Sequence, residues 1–223
     1  MVSALRKVLV TGASRGLGAV VVKSLPDYEV IPFTRRECDF LNLKGWNCVV
    51  PEVDIIIHCA GGGLGLRGPY LAAQQFYDLF QVNLGGAAEL NRLTVPRMQA
   101  EGWGRVVHVC SIASGEAVGS VGYNTIKTAL AAYVRSLGRE LAPFGVVVSG
   151  ISPGAFEAPE NAMQRLQRAS PEAYQDFLKN RLPRGYMGKA EELIPLIRYL
   201  ISDEASMMGG CVVPIDAGEG HYY

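Results

Sequence analysis

The stretch Thr11-Gly12-Ala13-Ser14-Arg15-Gly16-Leu17-Gly18 decides the fold of this 223-residue chain. Arg6–Val10 before it predicts a short buried strand, and Ala19–Leu25 after it predicts a helix that ends at Pro26. A glycine-rich turn between strand and helix lets backbone N–H groups approach a pyrophosphate, and the helix N-terminus adds a positive dipole end. The turn therefore predicts a dinucleotide site, with a purely structural glycine turn as the alternative.

Strand and helix patterns alternate along the rest of the chain. Short apolar strands alternating with helices predict a doubly wound parallel sheet in three α/β/α layers, the Rossmann fold, and we expect one domain over residues 1–223. Ligands of such sheets bind at the carboxyl ends of the strands. The predicted strands are Tyr28–Phe33, Asp54–Ala60, Arg105–Cys110, Val146–Ile151 and Gly210–Ile215, and the predicted helices are Leu71–Gln99 (one or two), Val121–Leu141 and Ala190–Ser202.

Composition excludes several classes of function. The formal net charge is zero, so nothing indicates nucleic acid or an anionic membrane surface as a partner. No apolar run approaches the ~20 residues of a transmembrane helix, and the first seven residues lack the apolar core of a signal peptide. Five scattered cysteines without metal-ligand spacing are typical of reduced thiols, so we expect a cytoplasmic protein. The three histidines form no metal motif, and no metal is expected.

The pair Tyr123 and Lys127 carries the strongest chemical signal. Their i, i+4 spacing places both side chains on one face of a helix. A tyrosine has a reference pKa of about 10, too high for proton transfer at neutral pH. A lysine ammonium about 4 Å away favours the tyrosinate by roughly 4 kcal/mol at an effective dielectric constant near 20. This spacing therefore favours a tyrosine proton donor, although a surface helix pair is the alternative.

Together these landmarks make the chain resemble the short-chain dehydrogenase/reductase family, in particular its single-domain branch with the 3-oxoacyl-carrier-protein reductases. The resemblance covers nearly the whole chain and is specific because eight landmarks follow one another in the family's order. They are the glycine turn, Cys59-Ala60-Gly61, Asn83, Ser111, Tyr123, Lys127, Ser152-Pro153-Gly154 and Gly209-Gly210.

The resemblance implies four catalytic residues. Tyr123 would protonate the substrate oxygen, Ser111 would hydrogen-bond it, and Lys127 would hold the ribose hydroxyls and lower the pKa of Tyr123. Asn83, in a stretch that interrupts a helical pattern, would fix a water linking Lys127 to solvent. A helix-capping Ser111 and a local helix break at Asn83 are the alternatives. Ser114 competes with Ser111 but lies beyond the end of the strand.

The resemblance also implies a cofactor, and we expect NADP(H) rather than NAD(H). Thr34 stands where an acid at the end of the second strand would bond the ribose and repel a 2′-phosphate, and Arg35 follows it. Asp39-Phe40 is expected to end the third strand beside the adenine, because the short spacing before it predicts that the usual helix is missing or reduced to a turn. The full set of expected cofactor residues is Gly12, Ser14, Arg15, Gly16, Leu17, Gly18, Thr34, Arg35, Asp39, Phe40, Ala60, Gly61, Tyr123, Lys127, Pro153 and Gly154.

The chain also departs from the family pattern. His58-Cys59 replaces the usual Asn-Asn, so the side-chain amide that ties neighbouring strands is absent, and no threonine follows Pro153-Gly154 at the position that bonds the nicotinamide carboxamide. Residues 155–187, with a helical segment Asn161–Arg181, are expected to form a substrate lid in which Phe156, Met163, Tyr186 and Met187 line the pocket or belong to the core.

Function follows from the resemblance as an expectation. We expect an NADP(H)-dependent oxidoreductase acting on a small-molecule carbonyl or alcohol, assembled as a homotetramer or homodimer through the helices Leu84–Gln99 and Val121–Leu141. The alternatives are a non-catalytic NADP-binding regulatory protein and a sugar-nucleotide epimerase or dehydratase. An epimerase usually has a longer C-terminal substrate domain, whereas this chain ends soon after its last predicted strand.

Overall fold

A computed structural model describes residues 5–42 and 48–221 of the chain. Residues 1–4, on which part of the signal-peptide argument rests, lie outside this range. The described strands are β1 (Lys7–Thr11), β2 (Glu29–Phe33), β3 (Ile55–His58), β4 (Gly104–Val109), β5 (Val146–Pro153), β6 (Phe156–Glu157), β7 (Gly188–Lys189) and β8 (Val212–Ile215). The α-helices are α1 (Gly16–Lys23), α2 (Ala73–Phe80), α3 (Gly86–Glu101), α4 (Val121–Leu141), α5 (Ala162–Ala169), α6 (Pro171–Arg181) and α7 (Ile194–Leu200).

Six of these strands form one parallel sheet in the order β2-β1-β3-β4-β5-β8. Side chains of β1 and β3 alternate between the two faces, so that Val8 and Val10 pack with α1 and α7 while Leu9 packs with α3 and α4. The sheet is thus covered by helices on both faces, which confirms the predicted doubly wound α/β/α fold. All six strands run the same way, and their carboxyl ends share one edge.

The predicted helix over Leu71–Gln99 is divided in the structure. A π-helical turn, Gln81–Gly85, joins α2 to α3 at the stretch where the helical pattern is interrupted in the sequence. A π-turn inserts one extra residue per turn and is often found at functional sites. It places Asn83 inside the molecule, beside β3.

The segment after β2 corrects one sequence-based prediction. Asp39-Phe40 does not end a third strand, because the chain turns after β2 and the third strand is β3. The Cys38 amide donates to the Thr34 carbonyl, and the Asn42 amide donates to the Asp39 carbonyl. Phe40 is buried against Gly86 of α3, where a Cβ would lie 2.2 Å from the ring. This segment is anchored by turns and a buried ring, so it needs no strand pairing.

The expectation that all five cysteines are reduced is wrong for one pair. Cys38 and Cys48 form a disulfide, with their Cα atoms 5.6 Å apart. The turn after β2 folds Cys38 back towards the start of the chain segment that leads to β3. A separation of ten residues in sequence does not reveal this approach. Cys59, Cys110 and Cys211 are free thiols.

Residues 155–187 form a small unit beside the sheet. The strands β6 and β7 pair in parallel. The helices α5 and α6 lie between these strands in the sequence and pack against each other. Met163 and Met187 belong to the apolar cluster of this unit around Tyr174, whereas Tyr186 is exposed. Within the part of the chain that the structure describes, no helix combines the length and apolar character needed to span a bilayer.

Candidate active site

The glycine turn has the backbone shape that a pyrophosphate requires. Gly12 and Gly16 adopt the left-handed region at φ +66° and +60°, and a Cβ on Gly18 would lie 2.4 Å from the Gly12 carbonyl oxygen. Hence β1 and α1 approach closely only because residue 18 is glycine. No described atom lies within 4 Å of a Cβ at Gly16, so the turn faces open space. Because the first N–H groups of α1 lack intrahelical acceptors, this turn fits a dinucleotide phosphate.

Other groups hold the turn in place. The Ala60 amide donates to Thr11 Oγ1 (3.1 Å), which joins the ends of β1 and β3. The Gly16 amide donates to the carbonyl of Pro159 in the 155–187 unit (2.8 Å). Ser14 and Arg15 are exposed on the outside of the turn, and Leu17 is buried under it. These expected cofactor residues therefore lie together at the carboxyl edge of the sheet.

The end of β2 carries an acid that sequence reasoning missed. Glu37 Oε2 accepts hydrogen bonds from Thr34 Oγ1 (2.6 Å) and from the Thr34 amide (2.7 Å). Both hydrogen bonds lower the pKa of the Glu37 carboxyl, and the bond from the Thr34 hydroxyl has the larger effect. The carboxyl therefore stays charged at neutral pH. Arg35 is 67% exposed, and its Nε lies 3.9 Å from the carboxylate of Asp39. Both a cation and an anion thus lie at the end of β2, where the sequence predicts the ribose 2′-substituent.

Tyr123 and Lys127 lie one turn apart near the start of α4, as predicted. The Lys127 ammonium is 5.7 Å from the centre of the Tyr123 ring and donates to the Val109 carbonyl (2.9 Å). Lys127 is only 4% exposed. Added Cβ atoms at Gly63 and Gly119 would lie 3.8 Å and 2.9 Å from the Tyr123 ring, so glycines flank it on both sides. This arrangement holds a half-buried tyrosine near a buried cation.

Asn83 reaches the same place from the π-turn. Its Oδ1 accepts from the Gly62 amide (2.9 Å), and its Nδ2 donates to the carbonyls of Gly62 (3.0 Å) and Leu79 (2.9 Å). A Cβ at Gly61 would lie 2.8 Å from Asn83 Oδ1 and 3.5 Å from Lys127 Nζ. The loop after β3 therefore passes between Asn83 and Lys127, and only a glycine fits there.

Ser111 follows β4 and caps a short 3-10 turn, Ile112–Ser114. Its Oγ accepts from the Ala113 amide (3.2 Å), and Ser114 Oγ donates to the Ser111 carbonyl (2.7 Å). The turn is tied to α4 by Thr128 Oγ1, which donates to the Ser114 carbonyl (3.0 Å). Ser111 therefore caps a turn, as the alternative anticipated. A hydroxyl that accepts one hydrogen bond still carries a proton to donate.

A buried polar cluster beneath this site was not foreseen. His58 on β3 and His108 on β4 are paired in register and stack with ring centres 4.4 Å apart. Asn91 Oδ1 lies 2.9 Å from His58 Nε2, and Asn91 Nδ2 lies 3.5 Å from His108 Nε2 and donates to Tyr133 Oη (3.1 Å). The amide tie missing from the strands is therefore supplied from α3. The only available signal was the presence of histidine at two strand positions.

Burial controls the ionisation of this cluster and of the neighbouring thiols. Desolvation lowers the pKa of His58 to about 4, and it lowers the pKa of His108 well below 6.5. Burial raises the pKa of Cys59 to about 12 and of Cys110 to about 11, so neither thiol is a nucleophile at neutral pH. Among the described residues, no three His, Cys, Asp or Glu side chains are grouped as metal ligands.

Comparison with known proteins agrees with this geometry. The family model described as enoyl-(acyl carrier protein) reductase matches residues 47–219. The chain is 26% identical to the 3-oxoacyl-[acyl-carrier-protein] reductase MabA of Mycobacterium avium, over 96% of this chain and 90% of that protein. It is 31% identical to a 2-dehydro-3-deoxy-L-rhamnonate dehydrogenase (NAD(+)) of Sphingomonas sp. (strain SKA58), over 70% of this chain and 61% of that relative.

A solved structure shows the same architecture. A Beutenbergia cavernae protein, provisionally named an NAD(P)-dependent gluconate 5-dehydrogenase, was crystallised with NADP bound at low occupancy. It superimposes with a TM-score of 0.85 at 25% identity, and the match covers 97% of each chain. With a parallel six-stranded sheet, a glycine turn after β1 and a family match over most of its length, this chain belongs to the short-chain dehydrogenase/reductase family of oxidoreductases.

Proposed function

We propose that this protein is an NADP(H)-dependent oxidoreductase that interconverts a carbonyl and a secondary alcohol on a small-molecule substrate. The observation that carries the proposal is the meeting of Tyr123, Lys127 and Asn83 around the Gly61–Gly63 loop. Tyr123 and Lys127 come from α4, Asn83 comes from the π-turn, and Ser111 follows β4. A protein that only binds a dinucleotide does not need all four. Bound cofactor would supply or accept the hydride.

The protein's own groups would control the proton and the substrate oxygen. Tyr123 Oη would donate its proton to the oxygen of the carbonyl, and Ser111 Oγ would donate a hydrogen bond to the same atom. The ammonium of Lys127 has three donors, and one is used by the Val109 carbonyl. Its charge would stabilise the tyrosinate that remains, while Asn83 holds the glycine loop that borders the site.

The test of this function is a cofactor-oxidation screen. We expect purified protein to oxidise NADPH with at least one of four carbonyl classes: ketoacyl thioesters, steroids, quinones and keto-sugars. NADPH binding without turnover in any class would instead favour a regulatory NADP-binding protein. Isomerisation of a sugar nucleotide without net cofactor oxidation would favour an epimerase.

Cofactor choice depends on the opposing charges at the end of β2. Arg15 and Arg35 favour a 2′-phosphate, and the NADP bound to the related crystal structure agrees with this. Glu37, hydrogen-bonded to Thr34, is the observation that favours NAD(H) as the second candidate. The ribose hydroxyls would donate hydrogen bonds to its carboxylate, and a 2′-phosphate would be repelled by it. We propose NADP(H) because each of the two guanidinium groups can bind a 2′-phosphate through two hydrogen bonds, and we expect this to outweigh repulsion by the carboxylates of Glu37 and Asp39.

Two variants of this corner have opposite expected effects. Arg35→Ala should weaken NADPH binding by about 10- to 100-fold while NADH binding changes little, because a charged hydrogen bond contributes about 1.5–3 kcal/mol. Glu37→Gln should instead strengthen NADPH relative to NADH. Fluorescence titration of each reduced cofactor gives the four dissociation constants. Equal weakening of both cofactors by Arg35→Ala would show that this arginine does not touch the 2′-phosphate.

A homo-oligomer is proposed from the surface of α3 and α4. Val121 and Leu93 are 48% and 42% exposed, and Thr125, Thr128 and Ala132 continue from Val121 as a small-residue face at helical spacing. A face of this kind can pack closely against a symmetric copy. Light scattering at micromolar concentration should give a mass of two or four chains. A mass near 24.0 kDa would mean a monomer and contradict the proposal.

The domain organisation of the chain and the role of residues 155–187 are also proposed. We propose that residues 1–223 act as one dinucleotide-binding domain, with 155–187 as a lid over the substrate. The lid proposal is supported by the contact of Pro159 with the glycine turn. A cytoplasmic location stays a prediction from the sequence, and the Cys38–Cys48 disulfide removes part of its basis.

A further inference from the structure

A buried carboxylate from the segment after β8 touches the loop expected to hold the nicotinamide. Glu219 is 4% exposed, and its Oε2 accepts a hydrogen bond from the Ala155 amide (2.5 Å). Ala155 directly follows Pro153-Gly154 at the end of β5. A Cβ at Gly154 would lie 2.7 Å from Glu219 Oε2, so the carboxylate packs directly against this loop. A backbone amide that a cofactor could have used is thus already paired.

The second oxygen of the same carboxylate holds the 155–187 unit. Arg181, the last residue of α6, donates from Nη2 to Glu219 Oε1 (3.2 Å). The same helix is attached to β6 by Tyr174, whose hydroxyl donates to Glu157 Oε1. Glu219 therefore links helix α6 to the loop after β5. These two elements must keep a fixed relative position if the 155–187 unit is to close over a bound cofactor and substrate.

The backbone around Glu219 is itself fixed. Asp216 accepts hydrogen bonds from the amides of Gly218 (3.0 Å) and Gly220 (3.1 Å), and its carbonyl accepts from the Glu219 amide (3.1 Å). Beyond this turn, the His221 amide donates to Glu116 in the loop that follows Ser111. The segment from Asp216 to His221 is therefore attached both to the loop Pro153–Ala155, which is expected to hold the nicotinamide, and to the loop that carries Ser111.

We propose that Glu219 is a positioning residue for hydride transfer, because its carboxylate sets the loop Pro153–Ala155 and helix α6 in one relative orientation. It touches neither substrate nor reacting atoms and acts through Ala155 and Arg181. The inference rests on the proposed oxidoreductase function. A carboxylate is required because one oxygen serves the amide and the other serves the guanidinium, and a single amide oxygen cannot replace both.

The first arm of the test needs no cofactor and no turnover. Glu219→Gln keeps the size of the side chain but cannot accept from both donors. Hydrogen exchange of a peptide containing Ala155, followed by mass spectrometry, should accelerate at least tenfold in Glu219→Gln and in Glu219→Ala. The matched control is Asp27→Asn, which breaks a different carboxylate–arginine link, to Arg198 (2.6 Å), at the opposite edge of the sheet. Exchange at Ala155 should not change in this control.

The second arm separates positioning from general loss of structure. We expect Glu219→Gln to lower kcat at least tenfold with NADPH and a carbonyl substrate, while the dissociation constant of NADPH changes less than threefold. The deuterium isotope effect on kcat, measured with C4-labelled NADPH, should rise because hydride transfer becomes slower than product release. Arg181→Gln should lower kcat and raise the isotope effect in the same way, and the double variant should be no slower than either single variant.

The outcomes distinguish the two proposals. Wild-type protein that neither binds nor oxidises NADPH contradicts the proposed function, and the exchange arm then decides alone whether Glu219 holds the loop. Active wild-type protein with unchanged kcat, isotope effect and Ala155 exchange in Glu219→Gln overturns the role of Glu219. A parallel loss of kcat and of NADPH affinity, with normal exchange, also overturns it.

Discussion

Replacing Tyr123 with phenylalanine is expected to lower turnover by about 10²–10⁴-fold, the usual contribution of a positioned general acid. The ring would stay between Gly63 and Gly119, so the fold and the affinity for NADPH should change little. Steady-state rates with a substrate from the carbonyl screen and a fluorescence titration of NADPH give the two quantities. A variant that retains more than a tenth of the wild-type rate would contradict the role of Tyr123.

The matched control lies on the same helix. Tyr133→Phe also removes one tyrosine hydroxyl from α4, here one that accepts a hydrogen bond from Asn91. Because this hydroxyl belongs to the cluster beneath the site, its loss should change stability by about 1 kcal/mol and turnover by less than threefold. If the two variants lose activity equally, the loss in Tyr123→Phe reflects disturbance of α4 and not a missing proton donor.

Acid should destabilise the protein before its carboxylates titrate. His58, with its pKa lowered to about 4 by burial, and His108, lowered further below 6.5, are neutral when folded. Unfolded histidines have a pKa near 6.5, so the unfolded state binds more protons between about pH 6.5 and pH 4. Stability therefore rises with pH across this window and is lost as pH falls. We expect a loss of roughly 2 kcal/mol from His58 by pH 5, and a further loss in the same direction from His108.

Urea unfolding at pH 7, 6 and 5 measures this effect. The matched control is His221→Asn, which removes an exposed histidine outside the buried cluster. The double variant His58→Asn/His108→Asn should flatten the pH dependence, because the amide that replaces each ring does not titrate. A free energy of unfolding that stays constant from pH 7 to pH 5 in the wild-type protein would show that these rings are not buried as neutral groups.

The order of elements was predictable because its signals are local. The glycine turn lies between adjacent segments, and the strands β1 to β5 and β8 are short apolar runs whose alternation with helices implies a parallel sheet. The spacing of Tyr123 and Lys127 follows from the helical repeat alone. The irregular stretch at Asn83 also appeared in the sequence, although its form as a π-turn did not.

Predictions that depended on a missing element were less successful. The short spacing before Asp39-Phe40 predicts a strand there, but the chain instead forms turns and buries Phe40 against α3. Thr34, at the position of the usual acid, predicts that no carboxylate lies at the end of β2. The Glu37 carboxylate nevertheless lies there, because the chain turns and this group accepts a hydrogen bond from the Thr34 amide, three residues earlier. Residue types alone do not show such a turn.

The sequence by itself determined the layer order and the residues that share the carboxyl edge, because each follows from spacing within one strand, turn or helix. It also determined the family, through the resemblance carried by eight landmarks in order along the chain. Only the tertiary structure decided the Cys38–Cys48 disulfide, the bridge from Asn91 to His58 and His108, and the attachment of Glu219 to Ala155 and Arg181. The last of these contacts joins residues 64 and 38 positions apart. Such contacts depend on how packed elements orient their loops, and the hydrophobic periodicity of a single element carries no information about that orientation.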